Sequence, residues 1–139
     1  MMTEINFYTA VANPLAATAR LVGKAYVQGR RVRVVTPDAA ATAALDKLLW
    51  EHPVEGFVPH VTMTSPHVAE TPVIVDHSLL HEGAADVLIN LSAEPPAFFA
   101  RFERMFEIVG VDATLAAAGR ERWAFYKARG YPLSHTVMK

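Results

Sequence analysis

The residues best suited to chemistry lie near the end of the chain, in Gly119-Arg120-Glu121-Arg122-Trp123-Ala124-Phe125-Tyr126-Lys127-Ala128-Arg129-Gly130-Tyr131-Pro132-Leu133. On a helix, Arg120, Trp123 and Lys127 fall at i, i+3 and i+7 and share a face. Arg122, Phe125 and Arg129 repeat that spacing on a neighbouring face. Each face bears two cations, so neither is expected to be fully buried. A guanidinium beside an aromatic ring can hold a carboxylate in its planar fork while the ring holds an apolar group. The chemistry suits a peptide that ends in an apolar residue with a free carboxylate. Two other readings stand beside it. Leu115, Phe125 and Tyr126 can be core with the cations snorkelling outward, or the rings can stack on bases, although so few cations make a small nucleic-acid footprint.

A second cluster runs from Leu49-Trp50 to Phe57-Val58-Pro59-His60. Large aromatic residues beside prolines in a loop suit a protein interface. Against this, Trp50 can simply close the core over the end of its helix.

Enzyme motifs are missing. Thr9-Ala10-Val11-Ala12-Asn13, after the first predicted strand, contains no glycine, and Gly23-Lys24 has no upstream phosphate-loop glycine. No G-x-S-x-G elbow exists. Six histidines occur, and His77 and His81 have i, i+4 spacing, but scattered surface histidine is the expected reading. No metal and no cofactor are expected, and a nucleotide-binding enzyme is an alternative on grounds of fold analogy alone.

Composition sets the remaining limits. The 139 residues suit one domain, and 52% apolar against 19% charged residues excludes a disordered chain. Zero cysteine excludes disulfides and thiolate sites. With no signal-like start and no apolar run of about 20 residues, the expected protein is soluble, cytoplasmic and free of the membrane. A net charge of −1 hides a balance of −5 over residues 1–118 and +4 over 119–139. That basic end is too short to coat duplex DNA. It suits a small acidic partner, or a solvated helix end whose cations face the helix dipole.

The elements that must carry these clusters read as follows. Glu4–Tyr8 alternates as a strand, Asn13-Pro14 opens a helix to Gly29, and Arg31–Thr36 forms a second strand. Asp38 caps an Ala-rich helix that ends near Trp50. Residues 52–71 read as loop with a short strand around Val58–Met63. Pro72–Val75 and Asp86–Leu91 read as buried strands, with a turn or surface crossing between them. Pro95-Pro96 opens a third predicted helix, with Phe98, Phe102, Met105 and Val109 as its stripe and Gly110 as its stop. Asp112 caps a last helix to about Arg129, weakened by Gly119 at a cost of ~1 kcal/mol. A tail follows from Gly130. The order predicts a three-layer α/β/α sandwich, an α/β fold with a mostly parallel, Rossmann-like central sheet.

An ordered set of segments resembles the chi subunit of bacterial DNA polymerase III holoenzyme. It comprises Phe7-Tyr8, Ala25–Val32, Leu45–Trp50, Phe57–His60, Asp86–Ser92, Phe102–Arg104 with Glu107–Val109, and Gly119–Trp123 through Tyr126 to Leu133. The resemblance implies a non-catalytic accessory protein covering residues 1–139. It would join the clamp loader through the psi subunit or an equivalent, and bind the acidic, apolar-ended tail of single-stranded DNA-binding protein, with little direct DNA contact. Arg120, Trp123 and Lys127 would form the tail site, with Tyr131, Leu133 and Met138 as walls. Trp50, Phe57 and Pro59 would form the psi surface, or dock a repair helicase instead. In relatives the position after Trp123 is commonly basic. Here it is Ala124, and Lys127 lies one turn away.

Overall fold

The computed structural model describes residues 2–51, 59–62, 65, 71–78 and 86–138. Among these residues, seven strands form one parallel sheet in the order β3-β4-β2-β5-β6-β1-β7. The strands are β1 (Glu4–Val11), β2 (Val32–Val35), β3 (His60–Val61), β4 (Val73–Asp76), β5 (Val87–Asn90), β6 (Arg104–Gly110) and β7 (Leu133–Val137). Helices α1 (Pro14–Val27) and α2 (Ala39–Glu51) pack together, and α3 (Ala113–Ala128) joins β6 to β7. A three-layer α/β/α sandwich results.

Each helix starts where the sequence supplies an acceptor. Asn13 Oδ1 accepts from Ala16 N at 3.1 Å, Asp38 Oδ1 from Ala41 N at 2.8 Å, and Asp112 Oδ1 from Thr114 N at 2.8 Å. Gly29 and Gly130, at φ 77° and 78°, take the left-handed turn that ends α1 and α3.

Alternation along the strands divides the apolar residues into two layers. Val32, Val34, Val73, Val75, Val87 and Ile89 join Leu45, Leu49 and Val22 on the α1/α2 side. Ile5, Phe7, Leu88, Met105 and Val109 join Phe98, Phe99, Phe102 and Tyr126 on the α3 side. Burying both faces of β2, β4 and β5 explains why their sequences are short apolar runs.

Two elements differ from the sequence expectation. Phe98, Phe102, Met105 and Val109 do not lie along a helix. A 3-10 turn at Phe99–Arg101 leads into β6, which pairs with both β1 and β5. All four still meet in one apolar cluster. Met105 and Val109 share a face of β6, because i, i+4 spacing in a strand also returns a side chain to the same face, and Phe98 and Phe102 join them from the two ends of the 3-10 turn. The expected tail after Gly130 contains β7, in parallel register with β1 from Ile5↔Leu133 to Thr9↔Val137.

The layer under α3 is polar at one level. Glu107 is fully buried, and its Oε1 accepts from Arg122 Nε at 2.8 Å. Its Oε2 accepts from the Tyr126 hydroxyl at 2.6 Å, and Asn90 Nδ2 reaches both oxygens at 3.1 Å. Desolvation pushes the Glu107 carboxyl above its ordinary pKa against the pull of Arg122, Tyr126 and Asn90. Desolvation and the Glu107 charge push the Tyr126 phenol up as well. Arg122 is therefore a buried ion-pair partner at 4% exposure, while Arg129 on the same face stays exposed, so that face is sealed only in part. Among the described residues, Arg33 on β2 is a second sealed cation. Burial lowers it to about 10, with Asp76 opposing, and its Nη2 donates to Ser78 O at 2.8 Å.

Gly119 also has a packing role beyond its helix penalty. A Cβ there would stand 2.8 Å from both methyls of Val109, which is itself buried. Gly119→Ala should therefore destabilise the protein, because overpacking costs ~1–3 kcal/mol while the helix gains only ~1 kcal/mol. Thermal unfolding checks this: the melting temperature should fall, whereas a rise would mean that α3 moves away from β6 freely.

Candidate functional site

The chain leaves β1 toward α1 on one face of the sheet and leaves β6 toward α3 on the other. Neighbouring strands whose connections diverge in this way leave a crevice at their C-terminal ends, the usual ligand position in an open parallel sheet. A cavity of about 300 Å³ occupies that place. Its floor is Phe7, Val109 and Gly119, and its sides include Ala10, Ala116, Trp123, His135 and Thr9, with Arg120 also lining it.

Local irregularity shapes the rim. Tyr8 pairs with Ile108 and Val11 with Gly110, so Thr9 and Ala10 together oppose Val109 alone. The extra residue bulges β1 and places Ala10 at φ 57°, a left-handed conformation for a residue with a Cβ. The Thr9 hydroxyl is hydrogen-bonded to His135 Nε2. Trp123 stands edge-on to Phe7, with centroids 5.1 Å apart, and to His135 at 6.3 Å. The walls are apolar and aromatic, while Arg120 is exposed and, among the described residues, has no ion-pair or hydrogen-bond partner. Such a pocket can take one ring or branched apolar side chain together with an adjoining anion.

The structure brings some of the expected residues together and separates others. Arg120 and Trp123 line the cavity. Lys127 is exposed, one helical turn beyond Trp123. Tyr131 packs edge-on to Phe99 at 5.0 Å, and Leu133 lines a separate groove of about 240 Å³ with Ile5, Arg104 and Pro132. Met138 packs on the α1/α2 side, with the cluster that includes Tyr8 and Phe106, so it does not wall this cavity. Sequence reasoning missed Phe7, Thr9, Val109 and His135. Their only signal is the pairing of β1 with β6 and β7, which no local pattern announces.

Among the described residues, the other face of α3 has its cations engaged. Arg129 lies over the Phe125 ring at 3.6 Å and donates to Phe125 O, and Arg122 is sealed on Glu107.

At the far side of the sheet, Trp50 lies in the last turn of α2 and is 56% exposed. Its ring lies 5.2 Å from that of buried His60, whose Nε2 is 3.0 Å from Asp46 Oδ1 but off the line a hydrogen bond needs. Pro59 is half-buried beside them. Phe57, the third residue expected here, lies outside the described residues, as does His81 of the histidine pair. His77 meets Thr42, with Nδ1 to Oγ1 at 3.2 Å. Among the described residues no group of three or more His, Asp or Glu could hold a metal ion, and no helix is long and apolar enough to cross a membrane.

The likeness to known proteins extends over this whole framework. The family model described as DNA polymerase III chi subunit, HolC, matches residues 2–134, from before β1 into β7. A Pseudomonas aeruginosa protein named DNA polymerase III subunit chi is 35% identical over 136 residues, covering 95% of this chain and 94% of its own. Proteins of the same name from Escherichia coli and Haemophilus influenzae are each 28% identical, over 112 and 117 residues. These cover 80% and 82% of this chain, and 76% and 80% of their own. With β1 to β6, α3 and every residue lining the crevice except His135 inside the matched span, the chain belongs to the DNA polymerase III chi subunit family, and so to DNA replication.

Proposed function

We propose that this chain is a non-catalytic adaptor in the cytoplasm, linking the clamp loader to the carboxyl-terminal tail of single-stranded DNA-binding protein. One observation carries the reading: an apolar cavity at the sheet crevice has an exposed guanidinium, Arg120, at its edge. In this account the tail's last side chain enters between Phe7, Val109 and Trp123. Its carboxylate meets the Arg120 fork, and Lys127 attracts the acidic residues upstream. Tyr131 and Leu133 support the β7 end of the site through the apolar cluster that also holds Phe7 and Trp123. A second surface, centred on Trp50 with Pro59 and Phe57, takes the psi subunit or an equivalent clamp-loader protein. It is the reading favoured for Trp50 because 56% exposure is far more than closing a core requires.

Titration of a labelled acidic peptide ending in phenylalanine, at two salt concentrations, tests the tail site. Charge-assisted hydrogen bonds contribute roughly 1.5–3 kcal/mol, so Arg120→Ala should weaken binding by ~10- to 100-fold. Lys127→Ala should cost less and mainly flatten the salt dependence, as a rim charge does. Unchanged binding in Arg120→Ala, or indifference to amidation of the peptide's carboxyl end, would remove the site from this account.

Trp50→Ala should weaken capture of the clamp-loader partner while leaving the melting temperature nearly unchanged, as for an exposed interface anchor. Normal capture with a large fall in stability would return Trp50 to a purely structural role.

A further inference from the structure

Strand β7 ends the sheet, and among the described residues no strand lies beyond it. Its register fixes which backbone groups are free. Ile5 N donates to Pro132 O at 3.0 Å and Met138 N donates to Thr9 O at 2.9 Å. Parallel pairing alternates between those bonds, so Ser134 and Thr136 also face β1. Leu133, His135 and Val137 therefore turn their N–H and C=O groups outward. The strand has none of the devices that usually blunt an edge: no lysine or proline lies within it, and the β1–β7 register is unbroken. Its residues from Ser134 to Val137 are exposed.

The surroundings of this edge have a polarity. Helix α3 runs back from the C-terminal end of β6 to the N-terminal end of β7. Arg120 and the cavity thus lie toward the C-terminal half of β7, near His135, and Lys127 lies toward its start. Arg120 and Lys127 are both exposed on one face of α3, so the flank is electrostatically suited to an acidic chain.

We infer that an acidic peptide with a free carboxyl end binds by adding to β7 as an eighth strand, parallel to it, with its last side chain in the cavity. The inference rests on the tail-site reading above and extends it from a pocket to a backbone template. Main-chain bonds to Leu133, His135 and Val137 then supply affinity that does not depend on side-chain identity. Seven residues separate Arg120 from Lys127, a rise of about 10 Å along the helix, which equals about three residues of strand. The acidic residue that meets Lys127 is therefore placed about three positions before the carboxyl end.

Amide hydrogen exchange, followed by NMR on the intact protein with and without a decapeptide of acidic residues ending in phenylalanine, tests this. Binding should slow exchange at Leu133, His135 and Val137 by ~10-fold or more, with Ser134 and Thr136 slow in both states. N-methylation of alternate peptide amides should weaken affinity by ~3- to 10-fold at each bonded position, and little between them. Arg120-dependent binding without protection of the edge amides would overturn strand addition and leave a pocket alone. Absence of any peptide binding would overturn the tail site together with it. Protection that appears without peptide and rises with protein concentration would assign the edge to a second copy of this chain, and would equally contradict the inference.

Discussion

One buried carboxylate determines how the working face of this protein is presented. Glu107 sits in β6 without contact to water, and Arg122 and Tyr126 reach it from α3 at i, i+4 spacing, 2.8 and 2.6 Å away. A buried charge stranded without a partner costs several kcal/mol, so rotating α3 about its axis is strongly opposed. With Arg122 and Tyr126 turned inward, Arg120 and Trp123 must face the β1–β7 side and Phe125 with Arg129 the other. The anchor also extends sideways. Asn90 bridges Glu107 to the loop after β5, whose Ser92 donates to Asn90 Oδ1 and whose Ala93 carbonyl accepts from Arg122 Nη1 at 3.0 Å.

Around that anchor, topology creates the crevice and small residues keep it open. The connections leaving β1 and β6 diverge, and the extra residue in β1 widens the gap that they leave. Gly119 lets α3 approach Val109 closely enough for Trp123 to reach Phe7. The resulting cavity contains apolar walls and a cation at its edge, with a hydroxyl and an imidazole bonded to each other. That combination supports the proposed tail site, and the family's name gives the chi subunit an accessory standing.

The sequence made much of this legible, and where it misled, the reasons are physical. The first half of the βα order could be read because α1 and α2 each have a capping residue, Asn13 and Asp38, and α1 has a closing glycine, Gly29. Met105 and Val109 misled because a four-residue interval returns a side chain to one face in a helix and in a strand alike. Only the pairing of β6 with β1 and β5, distant in sequence, decides between them. Ser134-His135-Thr136 looks like a polar tail because β7 is an edge strand and little of it is buried. Of the candidate site, Arg120 and Trp123 could be found from helical spacing. Phe7, Thr9 and His135 could not, because they meet only through strand pairing across more than 120 residues. Arg122 was misplaced for a related reason. Its burial depends on a carboxylate that strand alternation in β6 places beneath α3.

The most direct test of this account is a double-mutant cycle on unfolding free energy with Glu107→Gln, Arg122→Met and the two combined. Each single variant should lose ~3–5 kcal/mol, because each leaves a buried charge unpaired. The double variant should lose less than the sum of the two, with a coupling well above the ~0.5 kcal/mol expected of independent sites. Losses that simply add would show that Glu107 does not hold α3, and the orientation of the Arg120–Trp123 face would need another cause.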